Sequence, residues 1–289
     1  LLRVAREHGD DFQQLLTRYA HERLLYRLAL SAHGGQFVLK GAALFTLWTG
    51  KAHRATRDLD LLGFGDPTAG HMRRVFAEVL ALEVGDDGVI FDGDSLETGQ
   101  IREEQEYGGV RVTITARVST AKVKLQIDVG FGDAVTPEAP MVEFPALLDF
   151  PAPQLRVYPP ETVVAEKLEA LVQLGLANSR MKDFFDLAFL ARVFDFDGDV
   201  LVRAIRATFE SRKTALPASP PIGLTAVFAS DAAKNTQWSA FAVKSGAGNV
   251  GRLSAAITGI AIFVEKPLAA AASATSFAAK WPKGGPWSR

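Results

Sequence analysis

Residues 110–118 and 123–129 alternate apolar and polar side chains without a break. Val110, Val112, Ile114, Ala116 and Val118 fall on one side of the first stretch, and Arg111, Thr113, Thr115 and Arg117 on the other. In the second, Val123, Leu125, Ile127 and Val129 oppose Lys124, Gln126 and Asp128. Successive side chains of a strand point to opposite faces, so this period of two commits the chain to a sheet with one covered and one open face.

The segments on either side follow other periods. Residues 10–30 read as an amphipathic helix, with Phe12, Leu15, Leu16, Tyr19, Leu24, Leu25 and Leu28 on its apolar side. A short strand at 36–39 runs into Lys40-Gly41, and 42–48 reads as a helix. Residues 58–64 (DLDLLGF) read as a strand. Asp66 and Pro67 then read as N-cap and first residue of a helix whose stripe is Met72, Val75, Phe76, Val79 and Leu80. Seven of the fourteen prolines lie between Pro137 and Pro160, which suggests an extended connector. Beyond it the pattern is helical at 161–174, 179–191, 200–210, 234–244 and 253–264. The expected organisation is α+β: a mixed-sheet lobe over 1–136, a proline-rich connector over 137–160 and a helical C-terminal lobe over 161–289.

Composition narrows the chemistry. The 289 residues include no cysteine, which excludes disulfides, thiolate zinc sites and a cysteine nucleophile. Net charge is −1, but it is unevenly spread: residues 201–289 hold eleven basic and three acidic side chains. That tail is either a track for a phosphate backbone or a surface docking on the acidic remainder. The longest apolar stretch, 255–264, is too short to span a bilayer, and residues 1–7 lack a signal-peptide core. The absence of Met at the start suggests a trimmed chain. A cytoplasmic protein with no membrane partner is expected.

Asp58-Leu59-Asp60 is the sharpest local feature. On a strand, positions i and i+2 share a face, so the two carboxylates converge. They repel unless a cation neutralises them, and Mg²⁺ or Mn²⁺ with oxygen ligands suits that need. Asp128 lies on the open face of a later strand, and adjacency of the two strands would gather three acids into a metal cluster for phosphoryl transfer. The alternative is a pair of solvated acids at a strand end. Lys40, Gly41 and Ala42 stand between a strand and a helix, where glycine admits a close backbone approach and free N–H groups face a phosphate. Asp183 and Asp186, spaced i, i+3, share a helix face with Ser179 and Lys182 near it, and Lys167 on the preceding helix is placed to pair with Asp186.

Four segments carry a resemblance: 37–44 (FVLKGAAL), 54–61 (RATRDLDL), 161–168 (ETVVAEKL) and 178–187 (NSRMKDFFDL), with 277–281 and 284–287 at the end. Together they resemble the nucleotidyltransferase AbiEii/AbiGii toxin family. The resemblance implies a DNA polymerase β-like nucleotidyltransferase lobe followed by a helical lobe. It implies a toxin of a toxin–antitoxin or phage-defence pair, with a cognate antitoxin as partner. The implied reaction is Mg²⁺- or Mn²⁺-dependent transfer of a nucleotide from a nucleoside triphosphate to RNA, the tRNA 3′ end being favoured (EC 2.7.7 type). By the family motif Asp58 and Asp60 hold metal, and Lys40 and the Thr56 hydroxyl lie by the triphosphate. Gly41, Ala42 and Lys182 are further expected nucleotide-binding residues. Lys167 and Asp186, or Asp183, complete the site from the helical lobe. The chain departs from the family where Ala42 replaces a serine or glycine and Thr56 replaces a serine. Nucleotidylation of a protein or small molecule, and a catalytically silent member that only binds, are the alternatives.

Other signals point elsewhere. The GxGxxG match at 246–251 has no βαβ unit around it and reads as an interhelical loop. The 195–199 segment (DFDGD) has its glycine misplaced for a Ca²⁺ loop, and Asp199 reads as a helix cap. The five histidines show no metal-ligand spacing, and Trp281 and Trp287 are expected to pack the C-terminus down.

Overall fold

In the computed structural model, which describes residues 1–9, 11–50, 53, 56, 58–101, 108–246 and 250–289, contacts divide the chain into two units. One consists of Leu1–Gly132 and Pro140–Tyr158, the other of Asp133–Ala139 and Pro159–Arg289.

The first unit holds, in order, α1 (Leu2–His8), α2 (Phe12–Leu30), β1 (Phe37–Lys40), α3 (Ala43–Thr49), β2 (Asp58–Gly63), α4 (Ala69–Ala81), β3 (Val89–Ile101), β4 (Gly109–Val118), β5 (Ala121–Phe131), β6 (Met141–Glu143) and β7 (Gln154–Arg156). Five strands make a mixed sheet in the order β1-β2-β5-β4-β3. β2 and β5 run parallel, and the other neighbours are antiparallel. The alternating segments become the β4–β5 hairpin, closed by a two-residue turn that pairs Val118 with Ala121. Its inward residues, among them Val110, Val112, Ile114, Leu125 and Ile127, are fully buried. They pack with α2 and α4, whose Leu15, Tyr19, Leu24, Val75 and Phe76 are also buried. Each such side chain stabilises the fold by roughly 1.5–3 kcal/mol, so a charge at Ile127 would break this layer.

Several details differ from the sequence reading. Phe12 is exposed, and α2 instead buries Glu22, Arg23 and Arg27. Arg23 and Arg27 both reach Asp87, at 2.9 and 2.7 Å, which accounts for buried charges on a core-facing helix. α4 is capped by Thr68, whose hydroxyl accepts from the His71 N–H, not by Asp66. The Asp66 carboxylate accepts from the Thr68 N–H in an Asx turn, and that delays the helix start past Pro67. β3 escapes a period-two reading because only Val89 and Leu96 are buried in it and its register shifts between Asp92 and Glu97. The proline-rich stretch contains the β6–β7 pair, and Val157 bridges Leu39 of β1. Proline lacks the N–H that a ladder needs, and both strands are short enough to fit between the prolines that flank them.

The second unit holds α5 (Pro160–Leu174), α6 (Met181–Val193), β8 (Phe196–Asp197), α7 (Gly198–Ser211), α8 (Ala226–Ser230), α9 (Ala232–Ser245), α10 (Leu253–Ala272) and β9 (Lys280–Trp281). Its core brings together Leu168, Leu171, Leu187, Leu190, Leu201, Ile205, Ile260 and Phe263. α7 is capped by Asp197, not Asp199; the Asp199 carboxylate accepts from the Phe277 N–H at 2.7 Å and ties down the tail. α10 runs twenty residues, longer than the apolar stretch suggested, and has the length and composition of a membrane-crossing helix. Its Leu253, Ile257, Ile260, Phe263, Val264 and Leu268 are buried within the unit, as expected of a core helix. Trp281 donates to the Ala191 carbonyl and Trp287 to that of Phe263, both at 2.7 Å, so both indoles pack the C-terminus as expected. In the GxGxxG segment, Gly246 ends α9 with φ 65°, and 247–249 lie outside the described residues.

Candidate active site

The sheet register lines up four charged residues, one on each of four neighbouring strands. Lys40 on β1 pairs with Asp60 on β2, Asp60 with Asp128 on β5, and Asp128 with Arg111 on β4. Directly paired residues point to the same side, so Lys40, Asp60, Asp128 and Arg111 form one row. Asp58 lies on that same side, two residues before Asp60 and paired with Gln126. The row occupies the face opposite the one packed on α2 and α4. Lys40, Asp58, Asp60 and Asp128 are half-buried there, and Arg111 is exposed.

Local backbone makes room for the acids. Gly41 has φ 73°, a left-handed conformation that disfavours side chains. A Cβ at Gly41 would overlap the Asp60 carboxylate and lie 2.7 Å from Asp60 Cβ. Glycine therefore meets two needs at this turn, backbone sign and space for Asp60. Lys40 Nζ lies 3.5 Å from the Tyr158 hydroxyl and 5.2 Å from its ring centroid. The Thr56 hydroxyl donates to the Asp58 carbonyl at 3.3 Å. Ala42 precedes the seven-residue α3. Arg54, Ala55 and Arg57 lie outside the described residues.

Asp128 is engaged. Arg111 donates Nε to Oδ1 and Nη2 to Oδ2, both at 2.8 Å, in a two-pronged fork. Gln126 adds a 3.4 Å contact to Oδ2. The Asp128 hydrogen bonds, and the charges of Asp128, Asp58 and Asp60 with them, hold the Arg111 guanidinium above its ordinary value despite some burial. Among the described residues, no three His, Cys, Asp or Glu side chains gather as a metal cage. The donors nevertheless suit a hard cation. All are carboxylate oxygens, Asp60 sits in the space that Gly41 leaves, and Mg²⁺ needs only one or two protein carboxylates besides phosphate and water.

The helical-unit residues form their own cluster. Lys167 Nζ is 2.8 Å from both Asp183 Oδ1 and Asp186 Oδ2. The two carboxylates are 1% and 0% exposed. Arg180 Nε adds a 2.7 Å contact to Asp183. Burial alone would raise the Asp183 pKa; Lys167 and Arg180 outweigh it and hold the carboxyl below the ordinary range. Lys182, on the same helix, is exposed.

Sequence reasoning passed over Arg111. The signal was present: a two-residue turn after Val118 pairs Arg111 with Asp128 in the hairpin. The basic tail is used in part inside its own unit. Arg206 donates to the Ala270 and Ala271 carbonyls, Lys234 to that of Asn178, and Lys280 pairs with Asp197. Arg212 bridges Asp133, Glu166 and Glu169. A cavity of about 400 Å³ in the second unit, lined by Phe185, Trp238, Arg252, Ile262 and Trp281 among others, includes none of the sequence-predicted site residues.

Carboxylates flanked by cations on one sheet face make a donor set for a divalent cation and a polyphosphate. The sequence matches the family model for the nucleotidyl transferase AbiEii toxin of type IV toxin–antitoxin systems over residues 23–250. The chain belongs to that family. No curated protein matches it. Two Helicobacter pylori crystal structures align with it at a TM-score of 0.47. One, assigned as a nucleotidyltransferase, is 16% identical and the alignment covers 91% of this chain and 95% of that one. The other, JHP933, is 17% identical, with 91% and 92% covered.

Proposed function

We propose that this chain is a toxin that transfers a nucleotide from a nucleoside triphosphate to an RNA acceptor, with the tRNA 3′ end favoured. The observation that carries the reading is the single row of Lys40, Asp60, Asp128 and Arg111, with Asp58 on the same side. Asp58 and Asp60 are the residues to hold Mg²⁺ or Mn²⁺, with Asp128 beside them. When bound, the cation supplies charge stabilisation on the phosphoryl oxygens. Lys40 offers a point charge to the triphosphate from the neighbouring strand. Gly41 and Ala42 let phosphate approach the backbone, and Thr56 adds a hydroxyl beside Asp58. The acceptor hydroxyl attacks the α-phosphorus in line, and pyrophosphate leaves. On the family motif Lys167 and Asp186, or Asp183, take part in the same reaction, and Lys182 is a further candidate for nucleotide binding. An antitoxin is the expected protein partner in the cell.

Incubation with labelled nucleoside triphosphates, tRNA and Mg²⁺ tests this. Label should enter tRNA and be lost in Asp58→Ala. Label confined to protein or to a small molecule would refute the acceptor, and label that persists in Asp58→Ala would refute the site.

A further inference from the structure

We infer that Arg111 is a latch on Asp128: it holds the third carboxylate off the cation site and yields it only when an anion, such as the incoming triphosphate, draws the guanidinium away. The inference rests on the nucleotidyltransferase reading and adds a regulation of the same site.

Three observations carry it. Both Asp128 oxygens are taken by the Arg111 fork at 2.8 Å, so the acid that sequence reasoning gives to metal is already neutralised. The fork is breakable, because the Arg111 side chain is 46% exposed and that of Asp128 20%. The planar guanidinium that grips a carboxylate through two prongs grips a phosphate in the same way, so a triphosphate can replace Asp128 as its partner. Row geometry supplies the coupling. Asp128 is paired with Asp60 on one side and Arg111 on the other, so freeing it adds a carboxylate beside the Asp58–Asp60 pair. A first cation then needs only Asp58 and Asp60. The full acid set is completed together with substrate, and divalent cation and triphosphate bind synergistically.

The test measures Mn²⁺ affinity of the full chain without nucleotide, by electron paramagnetic resonance of the free ion. Arg111→Gln should bind Mn²⁺ about tenfold more tightly than wild type, the scale of one well-formed charge pair. Arg111→Lys, which keeps the charge but loses the fork, should show a smaller gain of the same sign. In an Asp128→Asn background the Arg111→Gln gain should shrink to about twofold or less, a double-mutant cycle that separates the latch from bulk charge. Thermal unfolding confirms that each variant is folded. Unchanged or weaker Mn²⁺ binding in Arg111→Gln overturns the latch, as does a full gain that persists with Asp128→Asn. Equal Mn²⁺ binding by wild type and the Asp58→Asn, Asp60→Asn double variant overturns the cation site itself, and the latch with it. The latch alone fails when that double variant loses binding and the Arg111 variants are silent.

Discussion

Gly41→Ala probes the site through one methyl group, and Gly50→Ala supplies its control. The two glycines have nearly the same φ, 73° and 71°. An alanine in that left-handed region costs about 1–2 kcal/mol. The surroundings differ. A Cβ at Gly50 meets nothing within 4 Å, whereas one at Gly41 overlaps the Asp60 carboxylate. Rotating the Asp60 side chain does not solve this, because its Cβ is also only 2.7 Å away. The backbone of β2 or of the turn at residue 41 must shift, which adds about 1–3 kcal/mol of overpacking strain. Urea unfolding should therefore rank Gly41→Ala as less stable than Gly50→Ala by that increment. Mn²⁺ binding should weaken in Gly41→Ala alone, since Asp60 is the group displaced. Equal unfolding midpoints together with equal Mn²⁺ affinities would refute the argument that Gly41 exists to seat Asp60.

Two further outcomes follow from buried titratable groups. His21 is buried, its Nε2 finds no hydrogen-bond partner among the described residues, and burial pushes its pKa from the ordinary 6.5 down to about 4. The folded state resists protonation, so stability is full above pH 6.5 and falls as the pH drops toward 4, by roughly 3 kcal/mol. A urea-midpoint profile across that range should show the loss, and His21→Phe should flatten it. Lys167→Ala removes the cation shared by the buried Asp183 and Asp186 and should cost about 3–5 kcal/mol in thermal or urea unfolding. A Lys167→Ala variant as stable as wild type would show that the cluster is not structural and would favour a role in phosphate binding. Because Asp183 is held below the ordinary carboxylate range, its stabilising contribution persists above that range and disappears as the pH falls through its lowered value.

What could be read in advance was whatever repeats with a short period or sits next to its partner in sequence. The hairpin alternation named the covered side of β4 and β5, residue by residue. The Asp58–Asp60 spacing placed two acids on one face, and the i, i+3 spacing put Asp183 and Asp186 on one helix face with Lys167 expected to pair with Asp186; that Lys167 holds Asp183 as well came only with the structure. Features built on the third dimension were not legible. β3 carries little apolar signal because the sheet buries few of its side chains. β6 and β7 hide among prolines because each is only three residues long and the prolines at 140, 145, 151 and 153 flank rather than enter them. Helix starts slipped at Asp66 and Asp199 because a neighbouring Thr68 or Asp197 had the better geometry for the same N–H groups. Arg111 looked like one more outward side chain, since its meaning comes from the strand across the hairpin.

The parallel pairing of β2 with β5 has a consequence for how the protein becomes dangerous. Asp60 and Asp128 are neighbours in space, yet α4, β3 and β4 lie between them along the chain. Closing so long a loop is slow and entropically costly, and it rewards the chain only when β5 arrives. A nascent chain at the ribosome therefore exposes the Asp58–Asp60 pair well before the strand that brings Asp128 beside it exists. For a chain of a toxin family, topology itself would then keep the full row of charged residues from assembling until β5 has been synthesised.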